Sequence, residues 1–250
     1  MRLVVVTSLE DALAGLFWEA YARSGGLPPA AVFFLTPRRR TPLWRRLVEG
    51  LLLFGVAGVV RWWMLGRRAR RHPERIYGSA AFHHVQTVNR GQGLAALREA
   101  SPDLLVSVGS PVILKPDVLR SARIGAVNVH NGKLPAYRGL FGTFWEAYRR
   151  ETWGYISIHT MLEEVDAGPV LAQAAVLLEG RSLLSALLDK KRLGGSLLAW
   201  LVRFVERERA LPFPPPAQET PSAYYSWPSL KAIAGLALRR RSRRRTAAAT

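Results

Sequence analysis

With 250 residues, 49% of them hydrophobic and 22% charged, the chain can fold around one medium core, alone or with a short appendage. It has no cysteine, which excludes disulfides, cysteine-zinc sites, iron–sulfur clusters and thiol catalysis, and fits a reducing, cytoplasmic compartment. The formal charge of +18 is concentrated: residues 38–71 hold ten arginines against one acid, Glu49, and residues 239–245 hold six more, so the charge points to a local anionic partner such as membrane lipid, nucleic acid or a phosphorylated substrate.

Residues 2–7 read as a first buried strand. Their apolar run is too short for a secretory signal, and Glu10 and Asp11 follow too soon. A helix is expected over 9–23, ended by Gly25-Gly26 and Pro28-Pro29, and a second strand over 30–35. Next comes Leu43–Arg71, with an uncharged core at 51–60 that includes Gly55 and Gly58. That core is half the roughly 20 residues a spanning helix needs. One expectation is an in-plane helix, with Trp62-Trp63 at a membrane interface and arginines on phosphate headgroups. The other is a helical hairpin that buries its apolar side on the main domain.

Strands are then expected at 81–88, 103–108 and 124–130, with helices at 91–100 and 117–122 between them. A helix follows at 142–150. Strands at 153–161 and 170–178 flank the turn at 166–169, and a long helix at 182–209 is expected to break at Gly194-Gly195. Residues 212–216 read as a rigid proline linker, and 223–228 as a segment that packs back on the domain. The alternation predicts an α/β fold with an open, mostly parallel twisted sheet and helices on both faces. No phosphate-cradling G-x-G-x-x-G or G-x-x-x-x-G-K-[ST] follows the first strand, which argues against dinucleotide or P-loop chemistry.

The chemistry-bearing stretch begins Asn128-Val129-His130 and runs through Gly132-Lys133-Leu134-Pro135 to Tyr137-Arg138-Gly139. Asn128 and His130 are two apart on a strand, so they share a face, and they sit where that strand ends in a loop. In open α/β sheets, sites form outside the carboxyl ends of strands. Downstream, Asp166 stands ahead of Ala167-Gly168-Pro169. A loop carboxylate beside a histidine orients the imidazole and favours its protonated form. Taken separately, Asn-x-His reads as a buried hydrogen-bonded pair and Asp-x-Gly-Pro as a turn. His159, inside a strand, reads as a structural residue or a support for a catalytic neighbour rather than as a direct participant, and His72, His83 and His84 have no partner pattern.

Together and in this order, the stretches resemble the formyltransferase family, which contains methionyl-tRNA formyltransferase, glycinamide ribonucleotide formyltransferase and the sugar-nucleotide N-formyltransferases. The resemblance rests on Asn128, His130, Leu134-Pro135, Tyr137-Arg138-Gly139, Ile158-His159 and Val165-Asp166-Ala167-Gly168-Pro169, with Leu171 and Gln173, and is strongest over 103–173. It implies a Rossmann-like catalytic domain over 1–211 with an insertion at 43–71, then an extension at 212–250. It implies 10-formyltetrahydrofolate as formyl donor, an amine acceptor, no metal, and Asn128, His130 and Asp166 as the catalytic set. In that scheme the amine attacks the formyl carbon, Asn128 and His130 donate to the oxygen that becomes negative, and Asp166 orients His130. Through water, Asp166 also helps move the amine's proton to the leaving folate nitrogen. The resemblance further implies a folate pocket built from backbone groups of Val112, Ile113, Leu114, Glu163, Glu164 and Val165. Arg138 is either a holder of an anionic part of the acceptor or a solvated loop residue.

Departures from the family bear on the acceptor. Ser8-Leu9-Glu10-Asp11 follows the first strand in place of a glycine-rich loop, which argues against a purine-pathway role. The 34 residues after Pro216 are too few and too arginine-rich for the β-rich second domain of the tRNA enzymes, and Gly132-Lys133-Leu134-Pro135 replaces their Ser-Leu-Leu-Pro loop. A small-molecule amine is therefore favoured, such as an amino sugar on a nucleotide or lipid carrier. The alternatives are a tRNA enzyme that lacks its second domain, and a non-catalytic relative that binds membrane or nucleic acid. The 43–71 insertion is expected to dock on an anionic membrane near a lipid-linked acceptor.

Overall fold

The structure, a computed structural model, describes the chain except for residues 9–12, 37–40, 72–76, 215–220 and 248–250, and except for the side chains of 68–71 and 240–247. The expected start of the first helix, Glu10 and Asp11, Arg38 to Arg40, His72 and the end of the proline linker lie outside the described residues, as do the side chains of most tail arginines.

Runs of β-branched and apolar residues build the sheet. The strands β1 (Leu3–Thr7), β2 (Ala31–Leu35) and β4 (Leu104–Val108) are buried at every position, as parallel strands covered on both faces must be. With β3 (Ala81–Val85), β5 (Gly125–His130), β7 (Trp153–Thr160) and β8 (Val170–Leu177) they form one seven-stranded sheet. Its order is β3-β2-β1-β4-β5-β7-β8, parallel as far as β5 and antiparallel beyond it. The helices α1 (Ala14–Arg23) and α6 (Leu183–Glu208) cover one face, where Phe17, Trp18, Leu198 and Val202 meet Val5, Val32 and Val106. On the other face, α3 (Gly91–Glu99) and α4 (Pro116–Leu119) bring Leu97 and Val118 against Val4, Phe33 and Leu105. The chain thus adopts the expected fold class.

Two elements differ from expectation. The long helix α6 runs unbroken through Gly194-Gly195. A Cβ on Gly194 would stand 2.2 Å from Ile156 Cδ1, and one on Gly195 2.1 Å from the Phe17 carbonyl oxygen. These glycines serve close packing against β7 and α1, and the helix keeps its hydrogen bonds across them.

The second difference is α2 (Leu43–Arg71). Gly55 adopts a non-helical conformation, φ 70° and ψ 176°, and divides it into two halves. The Phe54 ring stacks on Trp62 at 5.2 Å, and a Cβ on Gly50 would lie 3.4 Å from Val59. On a straight helix those pairs would stand about 12–14 Å apart, so the halves fold back on each other. The hairpin forms, but the expectation that it buries its apolar side holds for one face only. Leu53, Phe54, Trp62 and Leu65 pack on a cluster with Phe144, Leu184, Leu188 and Ile233. Leu43, Trp44, Leu47, Leu51, Val56, Val60 and Trp63 face outward, exposed.

The last segment returns to the domain, as the sequence predicts. The short strand β9 (Tyr224–Tyr225) pairs with β6 (Arg138–Gly139), which precedes α5 (Gly142–Tyr148). The terminal helix α7 (Leu230–Ala247) places Ile233 and Leu236 in the cluster that seats the hairpin.

Candidate active site

The carboxyl end of β5, where the sheet changes from parallel to antiparallel, presents Asn128 and His130 on one face. The antiparallel register sets His159 of β7 opposite Asn128. Asp166 comes from the β7–β8 turn and closes the group. Its Oδ2 lies 3.3 Å from His130 Nδ1, and its Oδ1 lies 3.3 Å from His159 Nε2 and 3.4 Å from Asn128 Nδ2. The structure therefore brings Asn128, His130 and Asp166 together around one buried carboxylate.

Local constraints explain how the turn holds Asp166 there. Its backbone is left-handed, φ 51°, a region where aspartate is enriched and other non-glycine residues lose about 1–2 kcal/mol. The Gly139 N–H donates to Oδ2 at 2.9 Å, which ties the turn to β6. A Cβ on Gly168 would stand 1.9 Å from the Thr160 carbonyl oxygen, so only glycine lets the turn lie against the end of β7.

Proton placement follows from the acceptors. His130 Nε2 faces the Tyr137 carbonyl at 2.6 Å and His159 Nδ1 faces the Thr160 carbonyl at 2.8 Å, so each of those nitrogens carries a hydrogen and donates. His159 Nε2 stands between Asn128 Nδ2 at 3.2 Å and Asp166 Oδ1 at 3.3 Å. His130 is left with Nδ1 aimed at the carboxylate. Burial pushes the His130 imidazolium below the ordinary histidine value, against the pull of Asp166 and of the Tyr137 carbonyl. For Asp166 burial acts upward. The hydrogen bond to His159, the charge of protonated His130 and the Gly139 N–H outweigh it and bring the carboxyl to about 2. The pair is built to take up and release a proton as charge appears beside it.

A second buried network fixes the loop that follows β5. Glu146 Oε1 accepts from the backbone N–H groups of Lys133 and Tyr155, both at 2.9 Å, and Oε2 pairs with Lys190 Nζ at 2.5 Å, with both side chains fully buried. Lys190 also donates to Thr143 Oγ1 at 3.0 Å. Burial pushes Glu146 upward and Lys190 downward, and their pairing opposes both shifts. Gln173 adds hydrogen bonds to the Leu134 carbonyl at 3.0 Å and to Ser157 Oγ at 2.9 Å, while Ser157 itself donates to the Gly132 carbonyl at 2.6 Å.

Of the segments expected to hold a folate, Leu114 is buried in one core cluster with Ala126, Val112 and Met161 packed around it, whereas the Ile113 side chain is exposed. Asn89 clamps this loop: its Nδ2 donates to the Ile113 carbonyl at 2.8 Å, and its Oδ1 accepts from Lys115 N–H at 2.9 Å. On the opposite side Arg138 binds the Val165 carbonyl at 2.7 Å and the Glu164 carboxylate at 2.5 Å. Arg138 is thus a brace of the Glu163–Glu164–Val165 turn rather than a solvated residue. A pocket of about 260 Å³ opens at the start of β5, lined by Leu119, Arg120, Gly125, Ala126, Thr160, Met161 and Leu211, and none of the residues of the two expected segments lines it.

Two contributors escape a sequence reading, and a third gains its partners only in the fold. His159, expected as a structural or supporting residue, touches both Asp166 and Asn128 through the β5–β7 register. Gly139 anchors Asp166 through its backbone. Tyr225, far away in sequence, stacks on Tyr137 at 5.4 Å and Trp145 at 5.1 Å and so holds the loop that carries Gly139.

The pattern of the formyl transferase family matches residues 67–191. Methionyl-tRNA formyltransferase from Synechococcus sp. (strain JA-3-3Ab) is 31% identical over 197 residues, which cover 73% of this chain and 60% of that protein. The chain therefore spans less than two thirds of that relative's length. Glycinamide ribonucleotide transformylase 1 from Symbiobacterium toebii has a similar structure, with a TM-score of 0.58 at 20% identity, covering 84% of this chain and 89% of that one. A sugar N-formyltransferase from Shewanella sp. gives a TM-score of 0.58 at 15% identity, covering 95% of this chain and 87% of that one. At such identities the likeness is one of fold. The matched family stretch takes in half of the chain and all four residues around the buried carboxylate, and the protein belongs to the formyl transferase family.

Proposed function

We propose that the protein transfers a formyl group from 10-formyltetrahydrofolate to an amine, with a small molecule such as an amino sugar as acceptor. The observation that carries this reading is the buried Asp166 carboxylate, shared by His130, His159 and Asn128 at 3.3–3.4 Å and anchored by the Gly139 N–H. The folate, when bound, supplies the formyl carbon. The chain's residues do the rest. Asn128, and His130 as it takes up a proton, stabilise negative charge on the formyl oxygen. Asp166 keeps His130 aligned and, through water, carries the amine's proton towards the leaving nitrogen. In the structure Asn128 Nδ2 faces His159 and Asp166, and the two His130 ring nitrogens face the Tyr137 carbonyl and Asp166, so each residue must exchange a contact to reach the formyl oxygen. In this reading residues 1–211 are the catalytic unit, carrying the 43–71 insertion, and residues 212–250 an extension that closes on the site loop.

Calorimetry with a stable 10-formyl-folate analogue tests the donor. Wild type should bind it, and Asp166→Ala combined with His130→Ala should serve as the inactive reference when amines are screened. No binding by folded wild type would remove the reading. The 31% identity to a methionyl-tRNA formyltransferase keeps initiator tRNA as a second acceptor reading. Formylation of charged initiator tRNA in preference to any free amino sugar would select it.

A further inference from the structure

We infer that the outer face of the α2 hairpin is a docking surface for an anionic lipid bilayer, on which the enzyme lies without crossing it. In the first half, exposed Leu43, Trp44, Leu47, Val48, Leu51 and Leu52 recur at the spacing of one helix face; in the second half, Val56, Val60, Trp63 and Met64 do the same. Exposure reaches 78% at Leu43 and 72% at Val56. A helix packed on a water-soluble domain would carry polar residues on this side. This one is apolar on both sides, the inner side being taken by Leu53, Phe54, Trp62 and Leu65. An uncovered patch of this kind marks an interaction surface.

The charges choose the occupant. Arg46, Arg61 and Arg67 are exposed around the apolar face, and Arg67 lies over the Trp63 ring at 4.6 Å. The only acid of the hairpin, Glu49, is buried and paired with Arg45 at 3.0 Å, so the face offers cations and hydrocarbon together. Anionic headgroups above acyl chains complement both. A second copy of the chain would set arginine against arginine on a molecule of charge +18. Spanning is excluded by the fold-back at Gly55: each half is about 18–24 Å long at 1.5 Å per residue, short of the roughly 30 Å of a bilayer core. Trp44 and Trp63 stand on the outer face, and tryptophan favours the headgroup boundary.

The test is flotation of the full chain with vesicles of equimolar phosphatidylglycerol and phosphatidylcholine, against phosphatidylcholine alone. Wild type should float with the anionic vesicles and weaken as salt is raised. A variant with Trp44→Ser, Leu47→Ser, Val56→Ser and Trp63→Ser, all at exposed positions, should lose at least roughly tenfold in partitioning. Equal flotation of the two proteins overturns the inference, as does absence of wild-type flotation. Self-association of wild type that the variant abolishes, without flotation, assigns the face to a second copy and also overturns it. Should the variant fold poorly, brominated phosphatidylcholine in the anionic vesicles keeps the test open. It should quench wild-type tryptophan emission less in Trp44→Phe and Trp63→Phe, and unchanged quenching in both rejects the proposed contact. None of these readouts depends on formyl transfer, so the docking surface and the catalytic reading fail separately.

Discussion

Two aromatic segments of this chain sit against the same apolar surroundings, and one is tied to the domain through its backbone while the other meets it through side chains alone. Residues 223–227 end with Tyr225 stacked on Tyr137 and Trp145, and with Trp227 stacked on Phe141 at 4.9 Å. The α2 hairpin leaves Trp44 and Trp63 outside. Apolar composition does not separate them. Backbone needs do. An extended segment must find partners for its N–H and C=O groups, and β9 finds them on β6: Arg138 N–H donates to the Ala223 carbonyl at 2.9 Å and Leu140 N–H to the Tyr225 carbonyl at 2.7 Å. Those bonds carry the rings into place. The hairpin closes its hydrogen bonds within its own helices, so nothing but side-chain chemistry decides what its outer face meets.

If the segment tied through β9 serves the site and the hairpin serves an outside surface, variants should divide accordingly. The largest effect is expected at the carboxylate that β6 anchors: Asp166→Ala should lower kcat/KM for formyl transfer by roughly 10²–10⁴-fold, in steady-state assays with the protein still folded. Next comes the network under the site loop. Lys190→Met leaves Glu146 buried and unpaired, and should lower stability by about 3–5 kcal/mol in denaturant unfolding, much of it recovered when Glu146→Gln is added. Tyr225→Ala removes two ring contacts, at about 0.5–1.5 kcal/mol each, and should slow transfer as well, because the Gly139 anchor loosens. A rate unchanged by Tyr225→Ala would break the proposed link between strap and site.

A pH series sharpens the same contrast. The Asp166 carboxyl is depressed to about 2 in the folded chain, against about 3.9 unfolded. Its contribution to stability is therefore complete above pH about 4 and lost as pH falls towards 2. Acid unfolding of Asp166→Asn should lack that component. The smallest effect belongs to the hairpin: Val56→Ser with Trp63→Ser should shift stability by about 0.5 kcal/mol or less and leave the rate on a soluble amine unchanged.

Much of the site is readable in the sequence because strand geometry is local. Asn128 and His130 share a face by alternation alone, and the turn at Asp166 announces itself through Gly168-Pro169. The parts that are not readable depend on register and on distant chain. His159 reaches Asp166 only because β7 pairs antiparallel with β5, and Tyr225 reaches Tyr137 only because β9 returns over 80 residues later. The unbroken α6 shows a glycine pair misread as a helix break, since the same residues that loosen an isolated helix also admit a close neighbour. At Gly55 the helix does break, as the hairpin expectation requires, and the fold-back buries Phe54 and Trp62 while Trp44 and Trp63 stay exposed.

The hairpin occupies the connection between β2 and β3, neighbouring parallel strands at one margin of the sheet, three and four positions from β5. A connection of about a dozen residues can join such strands, and this one uses residues 36–80. Length added there leaves the order of the inner strands unchanged, but the hairpin returns to pack on Phe144 and Leu184, in the helices that carry Glu146 and Lys190 beneath the site loop. If the proposed docking holds, a descendant could change where it works by trading this crossover only while keeping that inner contact.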